Sequence, residues 1–140
     1  MILLDTNVLS ELMRQAPAPA VIRWVDRHPS AAVFISAVTR AEIELGIALL
    51  PDGKRKTGIM ESAGRMFQEF SGRCLPFDET AARHYGSIVA TRTRAGLPIS
   101  VEDAQIAAIA LSGNLAVATR NTADFEKIEG LDLCNPWKER

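Results

Sequence analysis

The stretch Met1-Ile2-Leu3-Leu4-Asp5-Thr6-Asn7-Val8 decides how the rest of the chain is read. An apolar run of strand type stops at a carboxylate, a hydroxyl and an amide, just where extended chain turns into helix. In an open parallel sheet, ligands bind in the crevice beyond the carboxyl ends of the strands. Asp5, Thr6 and Asn7 therefore occupy the place where such a fold does its chemistry. Asp5 or Asn7 is also a good helix N-cap, and on local grounds the two readings stand level.

Working outward, apolar runs of strand type recur at Ala32–Ile35, Cys74–Phe77, Leu115–Ala118 and Leu131–Cys134, mostly separated by segments of helical periodicity. This alternation predicts an α/β fold with a central, mainly parallel β-sheet flanked by helices. The longest helical candidate, Lys54 to Ser71, carries Ile59, Met60, Ala63, Met66, Phe67 and Phe70 on one apolar stripe. Asp78 can cap a helix running to about Ala95 with Gly96 ending it, and Ser100 can cap the next, Val101 to Ser112. Pro17 and Pro19 flank a short connection and Pro51-Asp52-Gly53 makes a turn. Neither parts the chain, so residues 1–140 are expected to form a single domain.

Each later strand is followed by polar residues of the same kind. Thr39-Arg40-Ala41-Glu42 fits a capping box after the second strand, and Ser100-Val101-Glu102-Asp103 fits another before a strongly apolar helix. Thr119-Arg120-Asn121-Thr122-Ala123-Asp124-Phe125 follows the fourth strand. Here Asn121 and Thr122 also suit N-caps, and Asp124 suits a first helical turn. Each residue alone has a structural role open to it. Together they follow successive strands, and a parallel sheet gathers such residues at one edge.

Carboxylates about 5 Å apart repel by roughly 3 kcal/mol at an effective dielectric near 20, so the cluster calls for a cation. With all-oxygen donors and no His or Cys at ligand spacing, Mg²⁺ or Mn²⁺ is favoured over zinc. The chemistry of such a site is phosphodiester hydrolysis.

Composition bounds the rest. Lys plus Arg number 16 against 17 Asp plus Glu, and the net charge of -1 offers no global field for a polyanion. Nucleic-acid contact must use local patches. Arg14 and Arg40 stand nearest the sheet edge in sequence, whereas Lys54-Arg55-Lys56, Arg92 and Arg94 read more simply as solvated helix charge. Ser36, at the end of the second strand, is open to a cap or a pocket role. His28 and His84 have no partner pattern, and Cys74 and Cys134 fit neither a metal knuckle nor a disulfide framework. No signal-peptide core or membrane-length apolar run is present, and a reducing cytoplasmic setting is expected.

With these residues in view, the chain resembles the PIN-domain ribonucleases of bacterial toxin-antitoxin systems, the VapC toxins, and especially their FitB-like branch. The resemblance rests on Met1–Val8, Ala41-Glu42-Ile43-Glu44-Leu45-Gly46, Asp103–Ala110, Thr119-Arg120-Asn121 with Asp124-Phe125, and Asn135-Pro136-Trp137. It implies a PIN fold and an acidic pocket in which Asp5, Glu42 and Asp103 hold Mg²⁺ or Mn²⁺. Thr6 and Thr119 would be supporting hydroxyls. Many relatives carry aspartate where Asn121 stands, which bears on whether a second ion binds, while Asp124 is placed to pin the following turn. The resemblance also implies RNA as substrate, a homodimer, and a small cognate antitoxin of VapB or FitA type. That antitoxin's tail would block the pocket while its own N-terminal domain binds operator DNA, so DNA contact would be indirect.

Two rivals remain at this stage. A phosphatase of the haloacid-dehalogenase type uses an aspartate after strand one as nucleophile, but requires a second aspartate where Asn7 stands. A non-catalytic binding module, with every carboxylate serving as a helix cap, predicts no response to metal.

Overall fold

A computed structural model describes residues 1–139. Its elements run β1 (Ile2–Leu4), α1 (Thr6–Leu12), α2 (Pro19–Asp26), β2 (Val33–Ser36), α3 (Ala37–Ala48), α4 (Lys54–Glu69), β3 (Cys74–Leu75), α5 (Glu79–Arg94), α6 (Val101–Gly113), β4 (Ala116–Ala118) and β5 (Leu133–Cys134). Short 3-10 turns at Ser30–Ala32 and Thr122–Phe125 complete the path. The strands form one five-stranded sheet in the order β3-β2-β1-β4-β5, and every pairing is parallel.

The order follows from the crossovers. From β1 the chain steps outward through β2 to β3, returns across the sheet, and enters β4 on the opposite side of β1. Ile2, Leu3 and Leu4 align with Ala116, Val117 and Ala118, so Asp5 and Thr119 leave adjacent strands side by side at the point where strand order reverses.

Both faces of the sheet are covered, as parallel strands require. Leu3 and Val117 face a core with Ile88 of α5 and Ile106 of α6, while Leu4, Ile35 and Ala118 face Val8, Trp24, Ile43 and Phe70 on the other side. On α6, Ala104, Ala107, Ala108 and Ala110 are fully buried, and their small side chains bring that helix close to its neighbours.

The expected elements are present, with boundary shifts that have causes. Ala32 belongs to the 3-10 turn, so β2 begins at Val33. Pro76, which lacks an N–H, follows the short β3. Leu115 and Leu131 lie just outside β4 and β5. Helix α4 stops at Glu69 with Phe70 as its C-cap, and α6 runs on to Gly113. The larger departure is α2: Pro19 sits at its first turn, where a fixed φ and a missing N–H suit a helix start. Reading the prolines as punctuation hid this helix.

Arg92, expected on the surface, is buried at 4% exposure. Its guanidinium donates to the carbonyls of Leu97 (3.0 Å), Pro98 (3.3 Å) and Glu126 (2.6 Å). It thereby ties the loop entering α6 to the turn after β4. Arg92→Leu should lower unfolding stability by about 3 kcal/mol, because three loop carbonyls lose their charged donor. The measurement is the urea midpoint, and an unchanged midpoint would refute that role.

Candidate metal centre

Asp5 is the side-chain cap of α1, its Oδ1 accepting from Thr6 N at 2.8 Å. Its other oxygen, Oδ2, accepts from Thr119 Oγ1 at 2.8 Å and from Asn7 Nδ2 at 3.1 Å. The cap and pocket readings of Asp5 are therefore compatible: one oxygen starts the helix while the other faces the neighbouring strand. Thr119 is fully buried, and its Oγ1 also accepts from Asn121 N at 3.0 Å. Asn7 Oδ1 accepts from Arg120 N at 3.2 Å, so the chain leaving β4 is fastened to the first turn of α1.

Glu42 requires a correction to the local pattern. The cap of α3 is Ser36, whose Oγ accepts from Thr39 N at 3.1 Å, so the helix begins before Thr39 and Glu42 lies beyond its first turn. Glu42 is thus no capping-box partner. It accepts instead from Thr6 Oγ1 at 2.7 Å. The buried Thr39 hydroxyl lies 3.1 Å from Thr6 Oγ1, forming a short polar chain from α3 through α1 to the carboxylate. Thr39 was missed as a contributor because its match to a box motif drew attention to the wrong cap.

Asp103 sits in the first turn of α6, and its backbone N donates to Ser100 Oγ at 3.1 Å, as the box expected. Asp124 lies in the 3-10 turn after β4 and is exposed. Asn121 occupies the N-cap position of that turn, as expected, but its side chain makes no capping bond.

The charges act on one another. Burial is the main cause raising the Asp5 carboxyl above 3.8, and the Glu42 charge adds to it against the lowering bonds from Thr119, Thr6 and Asn7. Asp103 is raised first by burial, then by the charge of Asp5, with Asp124 and Glu102 adding further repulsion. Among the described residues the ion pairs are Arg14 with Glu11 and Lys56 with Asp52, so none involves Asp5, Glu42 or Asp103. Nor, among those residues, is any group of three or more His, Cys, Asp or Glu side chains already arranged to hold a metal ion. An uncompensated set of oxygen donors fits a hard divalent ion that keeps part of its water shell and takes one or two carboxylates.

The cationic candidates divide. Arg40 stacks on the Phe67 ring at 4.4 Å. Arg14 pairs with buried Glu11 at 3.3 Å, and the Ala18 N–H is the main cause holding the Glu11 carboxyl below its ordinary range. His28 Nδ1 meets the Trp24 carbonyl at 2.7 Å, a packing role. No helix among the described residues is long and apolar enough to cross a membrane.

The model of the PIN domain family matches residues 2–131. The chain is 42% identical over 139 residues to a protein named VapC ribonuclease Y4jK from Sinorhizobium fredii, covering 99% of each. It is 41% identical over 140 residues to Toxin FitB from Neisseria gonorrhoeae, covering 99% of this chain and 100% of that one. Among solved structures, FitAB bound to a DNA fragment aligns with a TM-score of 0.92 at 40% identity, over 100% of this chain and 98% of the other. The family model, the full-length identity and the matching fold agree: this chain belongs to the PIN-domain family.

Proposed function

We propose that the chain is a Mg²⁺-dependent endoribonuclease and the toxic member of a toxin-antitoxin pair, with Mn²⁺ as an effective substitute. The carrying observation is that the Asp5 and Asp103 carboxyls are raised by burial and then by like charge, with Glu42 acting on Asp5 and Asp5 on Asp103, and that neither enters an ion pair among the described residues. Relatives named as a ribonuclease and as a toxin support the same reading.

In this mechanism Asp5 and Asp103 are the principal ligands and Glu42 the third. When bound, Mg²⁺ supplies Lewis-acid charge that polarises a phosphodiester and steadies the departing oxygen. Thr119 and Asn7 fix the Asp5 carboxylate, and Thr6 fixes Glu42, so little reorganisation is needed as negative charge develops. A water oxygen attacks phosphorus, the phosphorus–oxygen ester bond breaks, and a carboxylate of the cluster takes the water proton. Asn121 in place of an acid favours one tightly held ion, and Asp124 supports the turn beside it.

The partner is an antitoxin of the VapB or FitA type, which reaches operator DNA on behalf of the pair, and the toxin works in the cytoplasm as a homodimer. The test is expression of the chain alone, wild type beside Asp5→Asn, scoring growth and RNA fragments. Growth arrest with RNA cleavage by wild type only is expected. Equal growth and intact RNA in both would leave a binding module as the better account.

A further inference from the structure

Thr6 bonds two acids of the centre at once. Its backbone N donates to Asp5 Oδ1 at 2.8 Å, while its hydroxyl donates to Glu42 Oε1 at 2.7 Å. The same hydroxyl oxygen lies 3.1 Å from Thr39 Oγ1, and proton counting gives that second contact a direction. A hydroxyl carries one hydrogen and two acceptor lone pairs, and an ionised carboxylate only accepts. The single hydrogen of Thr6 is engaged by Glu42, so the other bond must run the opposite way, from Thr39 Oγ1 to Thr6 Oγ1. The chain reads Thr39 to Thr6 to Glu42, each donor aimed at the acid.

Helix α3 supplies both ends of this chain and α1 its middle link. Thr39 stands in the first turn of α3, fully buried, and its backbone N donates to the fully buried Ser36 Oγ at 3.1 Å. Glu42 lies one turn further along the same face, since residues three apart on a helix are neighbours. Valine has nearly the shape of threonine and would fill a buried position without desolvating a polar group. A hydroxyl at position 39 is explained by what it bonds.

That bond acts on the carboxylate at one remove. Hydrogen bonds in series polarise one another, so a donor behind Thr6 strengthens the bond in front of it. It also occupies a lone pair of Thr6 and stops the Thr6 hydrogen from turning back toward α3. Glu42 is thus held by Oε1, and among the described residues no hydrogen bond reaches its Oε2.

We propose that Thr39 is a positioning residue of the metal centre: acting through Thr6, it fixes the Glu42 carboxylate for a divalent ion while touching neither ion nor RNA. Groups that orient a metal ligand from behind are worth about ten- to a hundredfold in affinity or activity, and one acting through an intervening hydroxyl belongs at the lower end. This inference rests on the metal-dependent nuclease reading and deepens it by assigning what holds the third ligand.

The test is a calorimetric titration of the RNA-free chain with Mn²⁺. Thr39→Val should weaken Mn²⁺ binding about tenfold, whereas Thr39→Ser, which keeps the donor, should stay within about twofold of wild type. In a Glu42→Gln background Thr39→Val should have no further effect, because the group it acts on is gone. At a Mg²⁺ concentration equal to the wild-type dissociation constant, Thr39→Val should slow single-turnover cleavage at saturating RNA by roughly fivefold, the occupancy ratio for a tenfold weaker site. The RNA concentration giving half the maximal rate should not move. Tm in EDTA is the fold control. Should Thr39→Val not fold, Thr39→Cys, of similar bulk but with a weak S–H donor, should show the same loss of Mn²⁺ affinity.

Unchanged Mn²⁺ affinity in a folded Thr39→Val or Thr39→Cys chain overturns the proposal. An undiminished loss in the Glu42→Gln background, or an equal loss from Thr39→Ser, also overturns it and leaves Thr39 as a packing residue. Failure of the wild-type chain to bind Mn²⁺ would sink the metal-dependent reading and this proposal with it, a result distinct from any difference between variants.

Discussion

Asp5→Asn should reduce metal-dependent RNA cleavage about a thousandfold, leaving a chain that still folds. The change removes one negative charge and keeps nearly the same shape, and Asn Oδ1 can still accept from Thr6 N to cap α1. What is lost is a principal ligand of the proposed centre. If metal charge stabilisation is worth several kcal/mol and each 1.4 kcal/mol is tenfold in rate, losing about 4 kcal/mol accounts for roughly that factor. Single-turnover cleavage at saturating Mg²⁺ is the measurement, with circular dichroism as the fold control. Cleavage within threefold of wild type would remove Asp5 from the centre.

The second large effect is on stability. Asp5 and Asp103 both have folded pKa values raised above 3.8 by burial and like charge, so their ionised forms favour the unfolded chain. Below 3.8 both are neutral in either state and the penalty is absent. As pH rises through the raised folded values the penalty appears, and above them it is complete. The metal-free protein should therefore gain stability as pH falls from 7.5 through those raised values toward 3.8. Glu11 works in the opposite sense, its contribution being present above 4.5 and lost as pH falls through a lowered value. Asp103→Asn should raise Tm at pH 7.5 and flatten the pH trend.

A divalent ion removes the same penalty by binding the folded state alone. At a hundredfold excess over its dissociation constant it adds about 2.7 kcal/mol, a Tm rise of roughly 10 °C for a chain of this size. Chelation with EDTA should reverse the rise and stop cleavage together. Thermal scans with and without Mn²⁺ from pH 7.5 down toward 4 test this; a Tm indifferent to metal at pH 7.5 would contradict it.

The parts of the fold legible in the sequence were those written in short, strongly patterned segments. Ile2–Leu4 stops at Asp5 because the strand ends there, and Ser100 and Asp103 are spaced as a helix start requires. Glu42 became a candidate through its place after the second strand and through the resemblance, while the capping box offered as its structural alternative is not realised. The capping match at Thr39 is real as a pattern, but Ser36 caps α3 first, and only tertiary contact brings Glu42 to Thr6 across a sequence gap of 36 residues. Arg92 was misassigned for a related reason, since its carbonyl partners at Leu97, Pro98 and Glu126 belong to loops whose approach no periodicity reports.

The strand order has a consequence for synthesis. β1 lies at the middle of the sheet, yet β4, its neighbour on one side, follows it by more than a hundred residues. A nascent chain emerging from the ribosome therefore exposes Asp5 well before Thr119 exists to hold its carboxylate. The central strand waits for its partner, and the geometry around Asp5 is set only once the segment carrying β4 has been made.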